Sequence, residues 1–133
     1  MTTFLFHFHS GLRWILVLGL LFSMIRYAMI WLGGSSFRPH DKTLSTVVTS
    51  LFDIQLLIGL VLLYLMSNGF SSFLRHQMEH AVTMFLAIVA IHLPARWKKS
   101  PDPVRARMSF VMFVVASILV FVAVLRLPQG WGM

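Results

Sequence analysis

The stretch MSFVMFVVASILVFVAVL, Met108 to Leu125, decides the fold. It runs for eighteen residues without a charge. A bilayer core about 30 Å thick is crossed by about 20 mostly apolar residues of helix. This stretch therefore reads as a transmembrane helix, and three further runs read the same way. Leu12–Leu32 carries Trp14 and Trp31 at interface-like positions and ends in Gly33-Gly34-Ser35-Ser36. Leu44–Met66 closes on Ser67-Asn68-Gly69, and Met78–Leu93, the shortest, is stopped by Pro94. The prediction is an all-α, up-down-up-down four-helix transmembrane bundle, one domain over residues 1–133, with spans near 12–32, 44–66, 78–93 and 108–125.

Composition agrees. The chain is 58% hydrophobic and 11% charged, with mean hydropathy +0.82. A soluble domain carries about 25% charged residues, so this chain cannot cover its surface with polar groups, and lipid is part of its solvent. The net charge of +7 is no sign of nucleic acid, because the basic residues sit in short connections between apolar runs. With no cysteine there is neither a thiolate metal site nor a thioether-anchored haem. Met1 to His9 has no basic start and no small-residue cleavage pattern, so no removable signal peptide is expected.

The basic residues also predict orientation. Arg38, Lys42, Arg96, Lys98, Lys99, Arg105 and Arg107 lie in or beside the 1–2 and 3–4 connections, against Arg13, Arg75 and Arg126 on the opposite side. Positive charge is retained in the cytoplasm. Both termini and the 2–3 loop are thus expected outside a bacterial inner membrane.

Ionisable residues inside spans are costly and face the bundle interior or a cavity. Arg26 and Asp53 lie at nearly matched depths on helices 1 and 2, about 10 and 13 Å from the cytoplasmic side. An ion pair is expected, with His92 of helix 3 joining it. A structural lock is the simpler account of this cluster, with Arg26 partly snorkelling, and a proton or quinone site is the sharper one. Gln55 points away from Asp53, which places protein or a cofactor on two sides of helix 2. Tyr64 lies too near the outer surface to share a ligand with Asp53. Gly19 and Ser23 form a small-xxx-small pair suited to a close helix neighbour.

A second cluster lies at the outer ends of helices 1 and 3. His9 and Arg13 share one helix face, and His76, His80, Thr83, Met84 and Ala87 share another. Helices 1 and 3 start from the same side, so His9 and His80 lie at similar depth. Two neutral imidazoles at one level on facing helices are what a b-type haem iron requires. Arg13, Arg75 or Arg126 would suit its propionates, and Glu79 could hold the outer N–H of a ligand imidazole. Bare interfacial histidines predict a similar sequence. Zinc or copper on His76, His80 and a third group lacks a ligand-spaced partner beyond Glu79.

These strings resemble a known group. His9-Ser10-Gly11-Leu12-Arg13-Trp14, the run Asp53-Ile54-Gln55-Leu56-Leu57-Ile58-Gly59-Leu60, and Glu79-His80 followed by Met84 and Ala87 are similar to short bacterial membrane proteins labelled "cytochrome b", frequent in the Bacteroidetes. The resemblance covers helices 1 to 3. It implies a four-helix electron carrier with one haem b, His9 and His80 as axial ligands, and quinol-linked electron transfer near the outer face. Asp53 stands where many members carry His, and Asp is a poor haem ligand, so no second haem is expected from helix 2. The competing expectation is a non-catalytic accessory subunit of a larger respiratory or photosynthetic membrane complex. A small transporter ranks last, because no broken helix or inverted repeat is visible.

Overall fold

The structure, a computed structural model, describes residues 2–69, 71–72 and 74–125. Four helices run in order: α1 (Thr2–Gly33), α2 (Pro39–Met66), α3 (Arg75–His92) and α4 (Asp102–Leu125). All four are long and apolar enough to cross a membrane. Each packs on its neighbours in sequence and α4 closes against α1, which gives an up-down-up-down bundle; the α2–α3 seam is the loosest of the four.

The helices outrun the apolar runs. α1 begins ten residues before Leu12, and α2 begins five before Leu44, with Pro39 at its first helical position and Asp41 in its first turn. Proline is preformed for a helix start and lacks only an N–H that has no partner there anyway, so the helix opens on polar sequence. At Pro94 the α-helix gives way to a 3-10 turn, Leu93–Trp97. Asn68 and Gly69, both at positive φ, end α2, and the Gly69 amide closes back on the Tyr64 carbonyl at 2.9 Å.

Buried positions recur at three- and four-residue intervals. Leu16, Leu20 and Tyr27 of α1 meet Val48 and Phe52 of α2, Ala87 and Ile91 of α3, and Phe113, Ala116 and Val120 of α4 in one core. Tyr27 stacks edge-on against Phe113 at 5.1 Å. Gly19 lets α1 and α2 approach closely, since a Cβ there would lie 3.1 Å from Val48 Cγ2; Ser23, one turn on, is fully buried. The outward positions, among them Leu18, Phe22, Met29, Leu57, Phe85 and Ile118, are large, apolar and exposed. Against water such a surface would be untenable, and against acyl chains it is the expected one.

The bundle thus has two unlike ends. One carries the 1–2 and 3–4 connections with most of the basic residues, and is called the basic end below. The other, where α1 and α3 begin, carries four of the six histidines, His7, His9, His76 and His80, and is called the histidine end. The long α1 extends over this histidine end, which places His9 inside the bundle.

Candidate functional site

At the histidine end, His9 of α1 and His80 of α3 meet across the diagonal of the bundle. Their ring centroids are 6.4 Å apart and the planes nearly perpendicular, at 79°. His80 Nδ1 lies 2.8 Å from the carbonyl oxygen of Ala123 in α4. A carbonyl only accepts, so Nδ1 carries the proton and a neutral His80 offers its Nε2 lone pair. His9 is held from below by α2. The Gln55 side-chain amide donates to the His9 carbonyl at 2.9 Å, and Gly59 leaves only ordinary contact distance, 3.4 Å, for a Cβ against His9 Cε1. Gln55 also lies beside the His9 ring, but neither its Oε1 nor the His9 Nδ1 completes a hydrogen bond, although both atoms are buried.

The two rings border a cavity of about 480 Å³ between α1, α2 and α3. That volume falls within the range of about 300–1,000 Å³ typical of small-molecule sites. Its walls are largely aliphatic and aromatic: Phe6, Leu60, Leu63, Met84 and Phe85, with His76 and Gln77 at the histidine end. The looseness of the α2–α3 seam is this cavity. Arg13, only 6% exposed, lines a smaller adjoining void with His9 and His80, and its guanidinium lies 5.1 Å from the Trp14 ring.

The residues fit a haem in three respects. Two imidazoles bound to one metal from opposite sides, with metal–nitrogen bonds of about 2 Å, have ring centres roughly 6–6.5 Å apart. The observed spacing matches, though it equals that of an ordinary edge-to-face contact and so permits coordination without demanding it. His9 Nδ1 and Gln55 Oε1, both buried, belong to residues that line the cavity, where a ligand would satisfy them. Finally, two imidazoles are the protein's share of donors for a metal whose remaining donors come from its own macrocycle.

Several sequence expectations need correction. Glu79 pairs one turn back with Arg75 at 3.0 Å, and it is the Ala123 carbonyl that holds the His80 imidazole at Nδ1. Arg75 itself is 93% exposed, and Arg13 sits inside the bundle rather than at a rim; Arg126 lies outside the described residues. His76 does line the cavity, one turn from His80, whereas His7 is exposed.

The Arg26–Asp53 pair is also corrected. Arg26 bonds Asp41 instead, Nε to Oδ1 at 2.7 Å and Nη2 to Oδ2 at 3.1 Å, and reaches the Ser36 carbonyl at 3.1 Å. Among the described residues Asp53 pairs with His92, Oδ1 to Nε2 at 2.9 Å. Because α2 starts at Pro39, it brings an acid closer to the basic end than the apolar run suggested. The Arg26 stem extends towards that end, as long cationic side chains do in membranes. Asp41 was missed because it lies outside the apolar run, although a proline followed two residues later by an acid is a helix-start signal.

Comparison with protein-family models, with characterised proteins and with solved structures finds no match to this chain.

Proposed function

We propose that this chain is a small b-type cytochrome subunit of a bacterial inner membrane, holding one haem b near the outer face and taking part in quinol-linked electron transfer beside other subunits. The observation that carries the reading is the diagonal pair His9–His80, bordering an apolar cavity, with the His80 tautomer fixed by the Ala123 carbonyl. A haem bound there would supply one-electron redox chemistry. The chain's own residues then have defined tasks. His9 and His80 would hold the iron from two helices, and the hydrogen bond from His80 to Ala123 keeps one imidazole in a single orientation. Aliphatic walls exclude water, and the buried Arg13 cation sets the local field. Similarity to the short "cytochrome b" proteins at His9 to Trp14 points the same way.

The test is a visible spectrum. Full-length protein expressed in a haem-sufficient bacterium and purified in mild detergent should carry about one haem per chain, with the sharp reduced α-band of a six-coordinate, low-spin b-type centre. Protein that is folded and free of haem would overturn this reading in favour of the accessory-subunit one.

Orientation is proposed from the basic end, where seven of the chain's eleven Lys and Arg residues lie in or beside the two connections. The chain has no cysteine, so single engineered thiols report cleanly. Ser72→Cys, exposed between α2 and α3, should react with an impermeant maleimide added to intact spheroplasts. Ser36→Cys, exposed between α1 and α2, should react only after permeabilisation. The reverse pattern would invert the topology.

A further inference from the structure

The Asp53–His92 pair is a polar feature that the haem reading does not use. Asp53 lies fourteen residues from Pro39 and thirteen from Met66, about 20 Å from either end of its helix. His92, in the last turn of α3, reaches it across the loose α2–α3 seam. Neither group is enclosed, since their side chains are 53% and 48% exposed. Around them Ile54, Leu57 and Val89 are exposed and apolar. The pair therefore opens sideways into hydrocarbon.

An ionisable pair at that depth calls for a partner, because acyl chains offer no hydrogen bonds. The Nε2–Oδ1 contact leaves Asp53 Oδ2 to accept and His92 Nδ1 to donate or accept. The occupant must arrive through the bilayer and present hydroxyl or carbonyl oxygens on an otherwise apolar body. It must also fit a seam whose cavity wall ends at Gln55, two residues from Asp53, and at Ile88, about one turn from His92.

We propose that Asp53 and His92 form a lipid-side binding site for the ring of a quinol, one phenolic O–H donating to Asp53 Oδ2. The choice of a quinol over other lipid-soluble phenols rests on the electron-carrier reading above, while the site itself rests on the pair's depth and exposure. The ring would then sit along the same α2–α3 seam as the histidine cavity.

The experiment uses the full chain in phosphatidylcholine nanodiscs with a short-chain azidobenzoquinone as photolabel. After irradiation, mapped label is expected within one turn of Asp53 or His92, at Ile54, Leu57 or Val89, and excess unmodified short-chain quinone should remove it. Asp53→Asn and His92→Leu should each lower that labelling at least tenfold. Leu57→Trp, which blocks the approach and leaves the pair intact, should do the same and decides the matter if a polar variant fails to fold. Label spread evenly over all lipid-facing helices, or untouched by these changes, overturns the site. So does a wild-type dimer that Asp53→Asn or His92→Leu converts to monomer, since the pair would then be a contact between copies. Haem content measured on the same samples separates the two ideas: haem without specific label removes this site and spares the cytochrome reading, and specific label without haem does the reverse.

Discussion

Replacing His80 by alanine is expected to leave folded protein with less than a tenth of the wild-type haem, and replacing His9 to do the same. Each imidazole would supply one of only two protein bonds to the iron, so no remaining ligand compensates. For His80 the change also strips the Ala123 carbonyl of its partner at 2.8 Å. A lost hydrogen bond of that kind is worth about 1 kcal/mol, too little to unfold the bundle. The variant should therefore elute like wild type and differ only in its spectrum. His40→Ala, at the basic end, and His7→Ala, an exposed position beside the cavity but not part of its lining, should retain full haem content and the low-spin spectrum. His76→Ala is the informative control. His76 lines the same cavity one turn away, so a spectrum that survives His80→Ala and disappears with His76→Ala would move the ligand by one turn. A spectrum that survives all of these changes would remove the histidines from the site.

The reach of the sequence can be judged residue by residue. Four spans are legible because eighteen or more apolar residues in helical register have few alternatives in water or lipid. That His9 and His80 share a level is legible too, since both lie in the opening turns of helices entering from one side. The ends of the helices are not, because an apolar run marks the hydrocarbon thickness while the helix continues into headgroup and water. α1 gains its first three turns this way, and it is those turns that carry His9.

Partner choice is the least legible property. Rise per residue fixes the depth of a Cα, but the Arg26 guanidinium ends well away from its own Cα. Matched Cα depth therefore pointed to Asp53, while the side chain went to Asp41. Glu79 illustrates a different limit. Its spacing of four from Arg75 is a local pairing signal, and local pairs form at little entropic cost. The Ala123 carbonyl has no side-chain signature at all, so no reading of residue types finds it.

The second large effect concerns the basic end. Asp41 has no exposed side-chain surface and accepts three hydrogen bonds, two from Arg26 and one from the Arg38 amide at 2.8 Å. Next to it Asp102 of α4 accepts from the Phe37 amide at 3.1 Å, and Arg105 lies over the Phe37 ring at 4.2 Å. The 1–2 connection is thereby fastened to three helices. Asp41→Asn removes the charge and leaves the Arg26 cation with neutral acceptors alone, the Ser36 carbonyl and the new amide oxygen. Breaking a fully buried pair costs about 3–5 kcal/mol. Arg26 is 19% exposed and keeps those acceptors, so the expected loss is about 2–3 kcal/mol in reversible SDS or urea unfolding in micelles. Arg26→Met should cost a similar amount, because it strands the carboxylate. Combining the two changes should cost clearly less than their sum, since neither charge then remains unpaired. The residual cost is the weaker bond that a neutral amide oxygen accepts from the Arg38 N–H. Asp53→Asn should be nearly neutral in the same assay, because its pair is half exposed. Additive costs for the Arg26 and Asp41 changes, or an Asp53 variant as unstable as the Asp41 one, would return Arg26 to Asp53 and dissolve the lock described at Asp41.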